Sequence, residues 1–159
     1  MTNAGKVTNP LFGLGKPNDA FAQYFIGESF LNPLTDPEKT IFLANVTFEP
    51  GCRNNWHIHH ADKGGGQILL CTDGRGWCRF WGEEARELHP GDVVFIPAGV
   101  KHWHGAAKDS WFSHVAFEAP GEGCSNEWLE DGRGVPRRGG WSRSTARPMT
   151  CCHRPALGS

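Results

Sequence analysis

Short runs of apolar, β-branched and aromatic residues alternate with turn signals along the central part of the chain. The first run, residues 40–49 (TIFLANVTFE), ends at Pro50-Gly51, and the others occupy residues 55–60, 67–71, 76–81, 87–89, 93–96, 101–104 and 111–118. Short strands separated by Gly and Pro turns every 8–12 residues or so are typical of a β-sandwich or small β-barrel. The pattern therefore predicts an all-β domain, with a short helix only within residues 19–30 or 124–129.

Four of the predicted strands carry histidines, and in the strands at residues 55–60, 101–104 and 111–118 the alternation of side chains assigns them to faces. His57 and His59 share one face of their strand, and His102 and His104 share one face of theirs. In the last strand, His114 shares a face with Phe112 and Ala116. Imidazoles inside a small barrel need polar partners, because burying an unpaired polar group costs free energy. A transition-metal ion is one such partner, although a lone histidine in a strand is more often a surface or hydrogen-bonded core residue.

The spacing of the residues around these histidines is long and specific. Residues 51–74 follow the pattern G-x5-H-x-H-x7-Q-x6-G, and residues 91–102 follow the pattern G-x5-P-x-G-x2-H. Spacing of this length favours a metal site over isolated core histidines.

The two patterns resemble the signature motifs of the cupin superfamily, and the resemblance covers roughly residues 40–118. It implies a double-stranded β-helix, or jelly-roll barrel, around one mononuclear metal centre. The ligands that it implies here are His57, His59, Gln67 and His102. The family's usual fourth ligand is a glutamate three or four residues after the second histidine, whereas here seven residues precede a glutamine. Asp62 and His60 are the alternatives to Gln67.

The glutamine, with the phrases VTFEPG, HPGDVV, KHWHGAA and WFSHVAFE, resembles single-domain cupins related to manganese-dependent hydroxynitrile lyases. This resemblance implies one divalent ion per chain, with manganese favoured and iron, nickel, cobalt or zinc as alternatives. Three imidazoles and a neutral amide leave the ion's charge uncompensated, which favours Lewis-acid chemistry at a substrate hydroxyl. The resemblance further implies that His114 transfers the proton, with His104 as a second catalytic candidate or as a hydrogen-bonding neighbour of the ligands.

The predicted function is therefore a hydroxynitrile-lyase-like carbon–carbon lyase acting on a small organic molecule. A metal-dependent dioxygenase is the alternative enzyme, and a non-catalytic small-molecule binder is the alternative from another class. The net charge of −1 and the lack of a helix-turn-helix pattern argue against nucleic-acid binding. No apolar run approaches the 18 or so residues of a membrane span and no signal peptide is evident, so we expect a cytoplasmic protein with no membrane partner. Related cupins suggest a homodimer.

Charge and composition divide the chain into three parts. Residues 1–39 are predicted to form an N-terminal arm with a loop or short helix, residues 40–130 the cupin barrel domain, and residues 131–159 a tail. Residues 1–130 carry ten basic and 16 acidic side chains, a charge of −6, whereas residues 131–159 carry six Arg and one acidic side chain, a charge of +5. The tail lacks apolar periodicity, so we expect it to be disordered. We expect free thiols at Cys52, Cys71, Cys78 and Cys124.

Overall fold

The computed structural model describes residues 9–132, and nearly all of the regular structure in them is β-strand. The strands in chain order are β1 (Lys16–Pro17), β2 (Phe25–Ile26), β3 (Ser29–Pro33), β4 (Ala44–Phe48), β5 (Arg53–Asn54), β6 (His57–His60), β7 (Lys63–Gly64), β8 (Gln67–Gly74), β9 (Gly76–Phe80), β10 (Arg86–Leu88), β11 (Val93–Ile96), β12 (His102–Ala106), β13 (Phe112–Glu118), β14 (Gly121–Glu122) and β15 (Ser125–Trp128). A 3-10 helix (Asp19–Tyr24) precedes β2. Among the described residues, no helix is long and apolar enough to cross a membrane.

The strands form two larger antiparallel sheets. The first sheet has the strand order β1-β3-β4-β13-β8-β11. The second has the order β10-β9-β12-β5-β2, and β6 joins it by pairing with both β12 and β15. A separate two-stranded ribbon consists of β7 and β14. The two larger sheets face each other as the halves of a jelly-roll barrel, which confirms the predicted fold class.

The apolar core lies between the two sheets. Phe48 and Phe112 of the first sheet are fully buried, and they join Leu88 of the second sheet in one cluster. Strand β11 shows the period-two pattern clearly, because Val94 and Ile96 are buried whereas the residues between and before them are exposed. Val46 and Phe48 belong to this core and also lie beside a group of buried histidines.

Each of the eight predicted strands has a counterpart in the structure, with ends shifted by a few residues. The expectation of a helix within residues 124–129 is wrong, because this segment forms β15 on the edge of β6. Residues 19–30 contain the 3-10 helix and then turn into β2 and β3. The stretch that the sequence predicts as an arm thus contributes three short strands, and β3 pairs along the whole length of β4. The predicted disordered tail lies outside the described residues, apart from its first two.

The four cysteines in the described part of the chain are free, as expected. Cys52, Cys71 and Cys78 are buried, whereas Cys124 is exposed. Burial, helped by the nearby carboxylates of Glu49 and Glu28, raises the pKa of the Cys52 thiol to about 12. Cys52 is therefore a protonated, apolar core residue and not a nucleophile.

The turns between strands require glycine, and two positions provide a matched test. Gly74 has φ +69°, and a Cβ built there would overlap the carbonyl oxygen of Trp111, whereas Gly82 has φ +82° and nothing within 4 Å of such a Cβ. Alanine at Gly82 adds only conformational strain, about 1–2 kcal/mol. We expect Gly74→Ala to lower the free energy of unfolding by roughly 2 kcal/mol more than Gly82→Ala does, because overpacking is added to the strain. Urea denaturation measures both, and equal effects would contradict the packing described here.

Candidate metal centre

All six side chains singled out in the sequence come together inside the barrel. Strands β6 and β12 bring two histidines each, and their pairing sets His102 directly opposite His57. The other two come from β8 (Gln67) and β13 (His114). The five histidines are each at most 7% exposed. The fold therefore brings histidines that are far apart in the sequence together in one buried group.

Three of the imidazoles lie close enough to bind a single ion. One ring nitrogen each from His57, His102 and His104 lies within 4.8 Å of the other two. The His59 ring is adjacent, with its centroid 5.2 Å from that of His57 and 5.4 Å from that of His102. The described residues thus contain a three-histidine cluster that can hold a metal ion, with a fourth imidazole beside it.

Hydrogen bonds set which nitrogen of each ring is available. The Nδ1 atoms of His57 and His102 lie 2.8 and 2.9 Å from the backbone carbonyl oxygens of Asn55 and Val100. A carbonyl oxygen only accepts, so Nδ1 carries the proton and Nε2 keeps a lone pair. The Nε2 atoms of His59 and His102 are buried with no hydrogen-bond partner among the described residues. Because buried polar atoms are normally satisfied, these lone pairs fit a bound cation.

Gln67 faces this group from the opposite sheet. It lies at the start of β8, half-buried, and its Oε1 atom is 3.3 Å from Nε2 of His104. The alternatives to Gln67 point elsewhere: His60 is exposed and pairs with Glu127, and Asp62 is exposed in the following loop. The geometry therefore favours Gln67 as the amide neighbour of the cluster.

His104 and His114, the two candidates for proton transfer, contact each other. Nε2 of His114 lies 3.0 Å from Nδ1 of His104. Burial lowers the pKa of His114 to about 3. Burial, followed by the effect of His114 and the other imidazoles, lowers the pKa of His104 well below its usual value. Both rings are therefore neutral near pH 7, and burial makes each of them a weaker base than a free imidazole.

Three polar residues that the sequence analysis did not identify also reach the site. Asn54 is buried, and its Nδ2 atom lies 3.3 Å from Nε2 of His104. Asn126 of β15 and Glu118 of β13 form hydrogen bonds on the Nδ1 side of His59. The hydrogen bond with His59 is the main cause of a lowered pKa at Glu118. Trp128 stacks on His57 with ring centroids 4.6 Å apart. Alternation along Ser125–Trp128 could have indicated that Asn126 and Trp128 share a face, but nothing in the sequence indicates which strand they pair with.

A cavity of about 510 Å³ opens onto this site. Five of the six predicted site residues line it, and His102 is the exception. Most of the remaining wall is apolar, including Phe25, Leu31, Val46, Phe48 and Ala116. The cavity thus combines imidazoles and several amides with walls suited to an apolar group.

An all-β barrel with a buried histidine cluster at the base of a cavity defines a class of small metal-binding barrel proteins. A family model described as "Cupin domain" matches residues 44–113. The chain is 40% identical over 111 residues to an (R)-mandelonitrile lyase of Granulicella tundricola, an alignment that covers 69% of this chain and 82% of that protein. The chain belongs to the cupin family.

Solved structures show the same fold. A cupin-like protein from Thermotoga maritima is 35% identical and superposes with a TM-score of 0.66, covering 78% of this chain and 91% of that one. A cupin 2 conserved barrel domain protein from Rhodopseudomonas palustris is 20% identical with a TM-score of 0.54, covering 69% of this chain and 74% of that one. At 20% identity, the likeness to the Rhodopseudomonas palustris protein shows a shared fold and nothing more.

We expect the metal-free protein to lose stability as the pH falls from about 7.5 to about 5.5. In the folded state burial holds the pKa values of His102 and His114 at about 3, whereas in the unfolded chain they protonate near about 6.5. The unfolded state therefore binds more protons in this window, and each extra proton lowers the free energy of unfolding by up to about 1.4 kcal/mol per pH unit. This contribution to stability is fully present above that unfolded-state value. Urea denaturation in EDTA measures it, and equal stability at both pH values would show that these rings are not held neutral.

Proposed function

We propose that the protein is a metal-dependent carbon–carbon lyase of the hydroxynitrile lyase type. The observation that carries the proposal is the buried His104–His114 pair, which lines the same cavity as three of the four candidate ligands. The relative named (R)-mandelonitrile lyase supports the reaction class. The substrate would be a cyanohydrin whose apolar group lies against the cavity wall.

His57, His59, His102 and Gln67 would hold the metal ion. His59 is preferred to His104 because Nε2 of His59 has no other partner among the described residues, whereas the ring nitrogens of His104 contact His114 and Gln67. When bound, a divalent ion supplies Lewis-acid polarisation of a substrate oxygen. Manganese is our first candidate, with iron, nickel, cobalt and zinc as alternatives, because imidazole ligands suit several of these metals.

The two remaining histidines would move the proton. In cyanohydrin cleavage a base takes the hydroxyl proton, the electron pair of the C–CN bond leaves with cyanide, a carbonyl forms, and the same proton then converts cyanide to HCN. His104 and His114 are neutral, so a ring lone pair is open to that proton, and burial, which makes each ring a weak base, favours its return to cyanide. Their 3.0 Å contact lets one ring stabilise the charge gained by the other.

The apolar walls would support this chemistry by excluding water. Phe48 packs against both rings of the pair, with centroids 6.0 Å from His104 and 5.3 Å from His114. In such surroundings hydrogen bonds and charges interact more strongly than in water. The same walls leave room for an aromatic or aliphatic substituent on the substrate.

The first mutational test removes a candidate ligand. We expect His102→Ala to lose metal and activity together, because one of the buried imidazoles of the cluster is gone. The loss of Mn²⁺ affinity should exceed the 10–100-fold or so that removal of an outer hydrogen-bond partner costs. Elemental analysis and mandelonitrile cleavage measure the two effects, and a variant that keeps its metal would remove His102 from the ligand set.

The second test separates proton transfer from metal binding. His114→Ala leaves all four proposed ligands in place, so its metal content should match that of the wild type. Its turnover of mandelonitrile should fall by roughly 10²–10⁴-fold, as for a lost general acid or base. His89→Ala is the matched control, because His89 is exposed and pairs only with surface carboxylates.

Two outcomes would contradict the lyase proposal. Unchanged turnover in His114→Ala would exclude His114 from the mechanism and leave His104 as the base. Wild-type protein that is loaded with manganese or iron, binds a small ligand and turns over no cyanohydrin would favour a binding protein instead.

A further inference from the structure

We propose that Asn126 and Glu118 are positioning residues for His59, so that metal affinity depends on β15, a strand outside the segment matched by the family model. This inference rests on the metal-binding part of the proposed function. It concerns how tightly the centre holds its ion, which the ligand set alone does not explain.

The hydrogen bonds around His59 have a defined direction. Asn126 Nδ2 donates to Glu118 Oε1 over 2.7 Å, and Asn126 Oδ1 lies 2.7 Å from His59 Nδ1. A carboxylate only accepts, so it orients the amide with Nδ2 toward Glu118 and Oδ1 toward His59. His59 Nδ1 must then carry the proton, and its lone pair is on the buried Nε2 atom, which has no partner among the described residues. Glu118 therefore selects the His59 tautomer through Asn126.

Glu118 is not placed to act as a ligand itself. Its Oε1 atom is 3.5 Å from His59 Nδ1, on the side of the ring away from Nε2. Its side chain is also 48% exposed, whereas the imidazoles of the cluster are buried. It acts from the Nδ1 side of the ring, both by holding the amide of Asn126 and by its own contact with His59 Nδ1.

His59 differs from the two other imidazole ligands in how its ring is held. His57 and His102 are anchored by backbone carbonyls two residues earlier in the chain. Those anchors are part of the local chain and form as soon as the strand does. His59 is anchored instead by a side chain 67 positions later. Its orientation therefore depends on a tertiary contact that a single substitution can remove.

The register of β15 on β6 explains why this contact forms. Asn126 lies opposite His59, and Trp128 lies opposite His57. Glu127, between them, faces outward and pairs with His60 at 2.6 Å. One strand thus presents one face to the ligands and the other to the surface. Glu127 is therefore a control carboxylate in the same strand, because its partner, His60, is not a proposed ligand.

Four variants test the inference. Asn126→Leu removes the acceptor for His59 at similar volume, and Glu118→Leu removes the group that orients the amide. Glu118→Gln is the conservative rescue, because its amide oxygen still accepts from Asn126. Glu127→Gln is the matched control in the same strand. The mutated side chains are exposed, so we expect melting temperatures near that of the wild type for all four.

Mn²⁺ affinity, measured by competition with a fluorescent chelator, is the first readout. Asn126→Leu and Glu118→Leu should bind Mn²⁺ about 10–100-fold more weakly than the wild type. Glu118→Gln and Glu127→Gln should stay within about twofold of it, since outer hydrogen bonds to the ligands are kept. Wild-type affinity in Asn126→Leu and Glu118→Leu would overturn the inference while leaving the proposed function intact. A wild-type protein that binds neither Mn²⁺ nor any of the alternative divalent ions would overturn both.

The tautomer of His59 is the second readout and needs no metal. The ¹⁵N chemical shifts of the metal-free wild type should show the proton on Nδ1 of His59, and Asn126→Leu should shift the population toward the Nε2–H form. A merely structural role for Asn126 would leave the tautomer unchanged. A wild-type His59 protonated at Nε2 would overturn the positioning contact even if the metal affinities changed.

Discussion

The burial of five imidazoles in one apolar barrel is the constraint on which the rest of the structure depends. Each ring loses its hydration on folding, and an unpaired polar atom in such surroundings costs roughly 1–3 kcal/mol. Backbone carbonyls, Asn126, Gln67 and the contact between His104 and His114 satisfy most of the ring nitrogens. The Nε2 atoms of His59 and His102 have no partner among the described residues. A cation held by this histidine cluster would satisfy these two atoms, which the apolar packing around them does not.

Much of this arrangement could be predicted from the sequence because its signals are local. Turn residues bound each strand between residues 40 and 118, and alternation placed His57 with His59 and His102 with His104, as the structure shows. The alternation of side chains along a strand does not predict which strands pair with each other. The clustering of His104 with His57 and His102 arises from β6 lying beside β12, which is a tertiary fact. For that reason the sequence left the role of His104 open between catalysis and support of the ligands.

Strand β15 could not be predicted from the sequence, for a different physical reason. Residues 125–128 (SNEW) carry a single apolar side chain, so no amphipathic pattern marks them as a strand. They are extended because the free edge of β6 supplies hydrogen bonds, and tertiary pairing overrides a weak local preference. The stacking of Trp128 on His57 and on Tyr24, with centroids 4.6 and 4.5 Å apart, holds the strand in place. A residue such as Asn126 therefore acquires its role only when the strand is docked.

The segment between His59 and Gln67 is longer than in the usual motif, and it contacts the chain just before β15. Within it lies β7, and β7 pairs with β14, two residues before β15 begins. The following Gly66 has φ +98°, and a Cβ there would overlap the carbonyl oxygen of Ile96, so the loop returns to β8 through a position that requires glycine. The longer segment thus supplies one strand of the β7–β14 ribbon, and the chain continues from this ribbon into β15 beside β6. The departure from the motif and the side-chain anchor of His59 are thus two parts of one arrangement, in which a longer loop pairs with the segment just before the strand that anchors a proposed metal ligand.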